Sequence, residues 1–474
     1  MVTKIGEMAA EVSATNPWWR RPDWAATDAD LRQVSNRGLG YRSGCLDDLE
    51  PGNLYLLRGP RRVGKTVAVK QAIVSLIESG VPPSAIVRVA ADGWAAKDLR
   101  TLAQRAALPP VPPGHTRWWF VDEISAVTGD WAQQIKWLRD NDPELAAATV
   151  VLTGSSAGQL TVASGVLAGR RGTAPDTDRT LVPMGFATFA RILDDSLPAD
   201  LHLPLSGLRS RDAAAAYAGL LGWLAPLVRS WEQYLLYGGF PVSVAALRAG
   251  TSIPESFVRD LFDVVYRDAF ADSRLSSATA TAMVGRLMQS MASPLNMANI
   301  AADLDLTSPT VRRHVEYLRD AYLIWHCPQK DDSTWTPRER AQDKVYAIDP
   351  LVARLAHLRN PERADIDPTV LAEMQIGTAI HRAAYAAGTP WADDSFLFHA
   401  RTPSRKEIDF VAEPLAGVAI EGKYVSSGRW AGEAATVNAS EWNGILTTRD
   451  VLDTTSERDA WAVPAAFLAY LIDT

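Results

Sequence analysis

From Asn53 onward, short apolar runs alternate with longer stretches of helical spacing. "NLYLLRG" is apolar and ends in glycine, and "TVAVKQAIVSLIES" then repeats apolar residues along one helix face. "AIVRVAAD", "RWWFVDEI" and "ATVVLTGSS" follow as short runs rich in β-branched and aromatic residues, the pattern of strands buried on both faces. Strand, loop, helix and strand in this order predict a parallel α/β sheet. Residues 1–50 read as an irregular extension with short helices. From about 205 to 275 the pattern is mostly helical. Within it, "AAAAYAGLLGWLAPLV" (213–228) reads as one buried helix, too short to span a bilayer and holding Pro226. Residues 280–330 read as a compact helical module. After the polar stretch "PQKDDSTWTPRERAQD" (328–343), strand-like runs return in "KVYAID", "SFLFHA", "EIDFVA", "GVAIEGKY" and "GILTT". A domain boundary is expected inside that polar stretch.

Composition narrows the class only modestly. With 474 residues there is room for about three domains. The 47% hydrophobic and 22% charged content is that of a globular protein. A net charge of −7 excludes a uniformly basic nucleic-acid coat but not a local basic face. Cys45 and Cys327 stand far apart in no metal-ligand spacing, which fits buried thiols in a reducing cytoplasm. The first residues, "MVTKIGEMAAEVSATNPWW", lack the apolar core of a secretory signal. A cytoplasmic protein without membrane partners is therefore expected.

The candidate chemistry begins with Gly59, Pro60, Arg61, Arg62, Val63, Gly64, Lys65 and Thr66, which match G-x-x-x-x-G-K-[ST], with Val67 next. Glycines permit a tight turn whose backbone N–H groups face phosphates, and the following helix adds its positive end. Lys65 is expected to reach the β and γ phosphates of ATP, and the Thr66 hydroxyl to ligate Mg²⁺. "WWFVDEIS" ends an apolar strand in Asp122, a second Mg²⁺-holding candidate, and Glu123, which would orient and polarise the attacking water. At the end of "VVLTGSSA", Thr153 or Ser155 is a candidate to contact the γ-phosphate or that water. Of Arg170, Arg171 and Arg179 downstream, Arg170 is the candidate to stabilise transition-state charge, in cis or from a neighbouring subunit.

"GPRRVGKT", "VDEI…W…LRD", "TGSSA", "LAGRR…LVPMGF" and "GGFP" together resemble the prokaryotic AAA-type ATPases of the archaeal-type, STAND-related branch, over roughly residues 40–474. The resemblance implies an AAA+ P-loop core, a helical lid and a winged helix, and it makes Arg170 a plausible sensor or finger. The expected division is an N-terminal extension (1–50), a P-loop AAA+ core with a parallel sheet (51–204), a helical lid (205–275), a winged helix (276–335) and a C-terminal mixed-sheet domain (344–474).

"NMANIAADLDLTSPTVRRHVEYLRDAYLI" has helix-turn-helix spacing. Met297–Leu304 reads as the first helix and Asp305–Thr307 as the turn. Ser308 caps the second helix, with Pro309 at its first position. Val311, Val315 and Leu318 share one face. Thr310, Arg312, Arg313 and His314 lie elsewhere, and Thr310, Arg312 and Arg313 are the DNA-contact candidates.

In "KEIDFVAEPLAGVAIEGKY", Asp409 sits in one strand, and Glu421 and Lys423 share a face of the next. Two carboxylates could hold Mg²⁺ while Lys423 positions water near a phosphate. This resembles the D…E-x-K core of the PD-(D/E)xK (restriction-endonuclease-like) nucleases. In that fold the preceding helix often adds an acid; here that position falls near His381, with Glu373 two turns earlier, a departure that counts against cleavage. Arg401 and "SRK" (404–406) add positive charge nearby. The function expected is an Mg²⁺-dependent ATPase acting on DNA, branched or single-stranded, with further copies of the chain as candidate partners in a homo-oligomer. The alternatives are an ATP-gated nuclease and an ATP-dependent switch that recruits proteins.

Overall fold

The computed structural model describes residues 2–105, 108–155, 157–267, 276–391, 395–426 and 430–473. The end of the expected lid, 268–275, lies outside the described residues. The chain divides into two compact units: Met1–Val182 with Asp320–Tyr322, and Pro183–Arg319 with Leu323–Thr474.

The first unit is built on five parallel strands: β1 (Leu54–Arg58), β2 (Ile86–Ala90), β3 (Trp118–Asp122), β4 (Thr149–Thr153) and β5 (Asp178–Thr180). Their spatial order is β2-β3-β4-β1-β5. The four apolar runs form β1 to β4, and every residue of β1, β3 and β4 is buried. The fifth strand, "DRT", is too short and polar to be read from periodicity; pairing with β1 makes it a strand. Because β4 lies between β1 and β3, its end at Thr153 sits between the loop after β1 and Asp122 at the end of β3.

The first 50 residues are more ordered than an irregular extension. Val2–Thr15 is a helix that buries Met8 and Val12 in the core of this unit. Asn16 caps the open edge of the sheet: Arg88 N donates to its Oδ1 at 2.6 Å, and its Nδ2 donates to Arg88 O at 2.7 Å. Trp18 and Trp19 both donate their indole N–H to Ile86 O. Edge-strand groups that would otherwise be free to pair with another chain are thereby covered.

The second unit opens with the helix Phe186–Leu193, followed by helices at Arg211–Gly219, Leu224–Tyr237, Pro241–Arg248 and Glu255–Arg267. The run 213–228 is not one buried helix. It breaks at a 3-10 turn, Leu221–Trp223, with the poor helix formers Gly219 before it and Gly222 inside it, and Leu221 is exposed. The helix-turn-helix is present as Met297–Asp303 and Ser308–Asp320, with Asp305 left-handed (φ 52°) between them. Val311, Val315 and Leu318 are buried as expected, but so is His314, whose Nδ1 lies 2.6 Å from Thr310 O. It occupies the core face rather than a DNA-facing one.

β6 (Ile324–Cys327) and β7 (Lys344–Ala347) pair antiparallel, so a boundary inside 328–343 would cut a two-stranded sheet. That stretch is also held to β8: Lys330 N donates to His399 O, and His399 N to Pro328 O. The C-terminal sheet is mixed. β8 (Leu397–Arg401), β9 (Glu407–Ala412) and β10 (Val418–Val425) are antiparallel, while β11 (Asn443–Thr448) and β12 (Trp461–Pro464) continue it in parallel. Among the described residues no helix is long and apolar enough to cross a membrane.

Candidate nucleotide site and a charged cluster in the second unit

The loop after β1 owes its shape to two glycines. Gly59 has φ 142°, and a Cβ there would lie 2.0 Å from Leu181 O, so both conformation and space require glycine. Gly64 has φ 111° and would project a Cβ into open space. It precedes the helix Lys65–Glu78, which has no side-chain cap at its start. The helix therefore presents N-terminal amides and its positive dipole end toward that space. Arg61 and Arg62 are exposed and Val63 is buried. Thr66 and Val67 are half-buried on the first turn.

Lys65 is buried and donates to Gly59 O at 2.9 Å and Pro60 O at 3.0 Å. Burial pushes its pKa down to about 8, against the pull of Glu123 and Asp122. Asp122 is also buried. Desolvation opposes its charge, but Arg88 and hydrogen bonds from Thr153, Arg88 and Thr66 outweigh that and hold its carboxyl below the usual range. Thr153 donates to Asp122 Oδ1 at 2.6 Å and accepts from Glu123 N at 3.1 Å. Glu123 stands in the left-handed region (φ 55°), and Ser155 Oγ lies 3.4 Å from its Oε2. Arg61 Nε donates to Ser155 Oγ at 3.3 Å. Both hydroxyl candidates on β4 and its loop thus belong to the site: Thr153 holds the Asp122 carboxylate and the Glu123 backbone, and Ser155 links the Glu123 carboxylate to the loop.

The donor set fits a magnesium nucleotide. A buried ammonium, an uncapped helix start, and a hydroxyl bonded to a carboxylate converge at one edge of the sheet. Sequence reasoning missed Arg88, whose Nη2 lies 2.6 Å from Asp122 Oδ2. Its one signal was a lone charge inside the apolar run "AIVRVAAD".

Arg170 is not brought to this edge. Its neighbour Arg171 accepts at its O from Leu54 N, at the opposite end of β1, and Arg170 pairs with Asp140 at 2.9 Å. The four residue steps of β1 put about 13 Å between its two ends. Arg170 therefore cannot serve the phosphate loop of its own chain.

The AAA domain family matches residues 52–190. This match supports an ATPase, with residues 52–190 as its AAA-like domain. Residues 228–362 match a second family, a domain of unknown function (DUF8612). No curated protein matches the chain. Among solved structures, the Walker-type ATPase PABY2304 of Pyrococcus abyssi is 14% identical, with a TM-score of 0.36, covering 69% of this chain and 95% of that one. The ORC2 protein of Aeropyrum pernix, in ADPNP–ADP complexes, is 10% identical, with a TM-score of 0.32, covering 70% and 94%. A single-substitution variant of RuvB from Thermotoga maritima is 16% identical, with a TM-score of 0.25, covering 63% and 88%. At such scores the ATPase assignment rests on the family match and on the AAA domain's own residues.

The second unit holds a separate charged cluster. Ala419 lies opposite Val411 and Ile420 opposite Phe410, which brings Glu421 beside Asp409. Lys423 Nζ lies 3.1 Å from Glu421 and 3.6 Å from Asp409. Glu373, expected to fall short, does reach the cluster. It sits on the helix Pro368–Ala386, accepts from Tyr346 at 2.6 Å, and packs so closely on Gly422 that a Cβ there would lie 2.8 Å from its Cγ. His381, two turns on, is instead buried among Trp325, Trp391 and Phe396.

The unexpected member is Lys344 of β7, fully buried and within 3.2 Å of Glu373, Glu407 and Asp409. Burial opposes its charge, but Tyr346 and the three carboxylates raise its pKa well above the usual value. Burial, Lys344 and Lys423 act on Asp409, with the two ammoniums winning and depressing it. Burial and Asp409 push Glu421 up to about 8. Among the described residues no three His, Cys, Asp or Glu side chains are disposed to hold a metal ion. A divalent metal on Asp409 and Glu421 would compete with Lys344, 3.0 Å from Asp409 Oδ1, and with Lys423, 3.1 Å from Glu421 Oε2, while the Gly422 amide holds Asp409 Oδ2.

Proposed function

We propose that this ATPase depends on Mg²⁺ and couples hydrolysis to work on DNA. Support for the coupling comes from the helix Ser308–Asp320: Val311, Val315 and Leu318 are buried, while Arg312 and Arg313 are exposed, so a basic face is left for phosphates. With β6 and β7 behind it, the module reads as a winged helix. Thr66 and Asp122 would hold Mg²⁺, which when bound supplies positive charge against the β and γ phosphates. Lys65 exchanges its two loop carbonyls for phosphate oxygens. Glu123 orients and polarises a water, its backbone held by Thr153. A catalytic role for Arg170 requires a neighbouring copy of the chain. The mixed sheet with Asp409, Glu421 and Lys423 supports a nuclease-like scaffold, but with Lys344 and Lys423 competing against a metal there, cleavage is no part of this reading.

The test is ATP hydrolysis with and without single-stranded, duplex and four-way DNA. Lys65→Ala should abolish turnover, and at least one DNA should stimulate the wild type. Replacing Arg312 and Arg313 together by alanine should flatten the dependence of log affinity on log salt by about 1.8 on duplex DNA. ATP turnover with neither stimulation nor salt-dependent DNA binding would leave the protein-recruiting switch.

A further inference from the structure

A cavity of about 830 Å³ opens in the second unit. Its wall is formed by the loops between β6 and β7 and between β8 and β9, together with Trp442. Three exposed arginines face it: Arg340, Arg401 and Arg405. Among the described residues none of the three is in an ion pair. Arginines elsewhere commonly are, as with Arg354 and Asp365, Arg179 and Asp48, or Arg449 and Glu232. Arg340 and Arg405 also stand at φ 60° and 63°. Left-handed backbone at a non-glycine residue is strained and clusters at binding sites.

One aromatic residue, Trp442, lines the cavity. Trp442 and Trp335 meet edge to face at 5.6 Å, and Lys330 lies over both rings at 6.0 and 5.0 Å. Both indoles pack on the core of the sheet, which fixes the platform. Acids also line the cavity, but two are already engaged. Asp332 pairs with Arg338, and Asp331 accepts from the Ser333 amide and hydroxyl. Glu339 and Glu441 line it as well, so three guanidinium groups outnumber the two remaining carboxylates beside a flat ring.

We propose that this cavity binds a nucleotide: a phosphate held by Arg340, Arg401 and Arg405, with an unpaired base stacked on Trp442. Guanidinium forks match phosphate oxygens, and an indole face stacks any base. The volume suits one nucleotide rather than a duplex. The ligand is either a free nucleotide or one unit of a single strand. The second source rests on the proposed DNA function and the first does not.

The experiment is anisotropy of a labelled oligothymidine without ATP, with thymidine monophosphate titrated in a second arm against the Lys65→Ala protein, which removes the phosphate loop as a competing site. The probes are wild type, the Arg401→Ala/Arg405→Ala pair and Trp442→Ala. If a strand is the ligand, the arginine pair should weaken it at least tenfold and flatten the salt slope by about 1.4. Trp442→Ala should weaken it about 5- to 100-fold with the slope unchanged. If only the monophosphate binds, with the same residue dependence, the ligand is a free nucleotide. Strand binding that responds to Arg312 and Arg313 but to none of these three residues overturns the proposal and leaves the DNA function standing. Monophosphate and strand both failing to bind overturns the proposal, and the duplex and four-way arms of the ATPase assay still decide the DNA function.

Discussion

Lys65 shows how burial tunes a single side chain. Its ammonium is buried against two carbonyls, and its pKa sits at about 8 rather than in the usual lysine range. The charged form is the one that meets phosphate, so ATP affinity should be flat below pH 8. Above that it should fall by up to tenfold per pH unit, as read by calorimetry with a slow analogue. Lys65→Arg, whose guanidinium stays protonated, should lack the fall. Arg88 poses the complementary question. It neutralises Asp122 from the neighbouring strand while its own backbone is fixed by Asn16. Arg88→Ala should shift the Mg²⁺ concentration for half-maximal ATPase several-fold, and Arg88→Lys should recover part of the shift. A purely structural arginine would lower the maximal rate and leave the Mg²⁺ midpoint in place.

Elements carry the contrast between the two charged sites. In the AAA domain, strand order alone puts Thr153 between the loop and Asp122, and the site is left open on the side of Gly64. In the C-terminal sheet, β7 supplies Lys344 to a cluster otherwise formed by β9, β10 and the helix Pro368–Ala386. Removing one partner from a buried ionic group typically costs about 3–5 kcal/mol. Lys344→Met should destabilise the protein by about that much in chemical denaturation. The nucleotide-free wild type should bind no Mn²⁺ that Asp409→Asn abolishes. Asp409-dependent Mn²⁺ uptake would restore the metal reading that Lys344 argues against. The sequence marked Asp409, Glu421 and Lys423 by their alternation on two strands. It could not mark Lys344, because a lysine opening "KVYAID" looks like any strand end until the fold closes over it.

At the scale of the whole molecule, the division into two compact units makes nucleotide a local stabiliser. ATP at 100 times its Kd should stabilise the folded state of the unit that binds it by about 2.7 kcal/mol. Proteolytic cleavage inside residues 1–182 should then slow about 100-fold, while cleavage inside 183–319 and 323–474 stays unchanged. Equal protection of both would mean that they unfold as one. Lys65→Ala should remove the effect.

The sequence by itself determined the parallel sheet, the phosphate loop, the two carboxylates after β3 and the helix-turn-helix, because each is written in local terms: periodicity, glycine and side-chain spacing. Tertiary structure alone decided which distant charges meet. Arg88 reaches Asp122 across adjacent strands, Glu373 and Lys344 join Asp409 from separate elements, and Arg170 is carried to the far end of β1. Chain pattern fixes which face a residue presents, but only packing fixes what that face is pressed against.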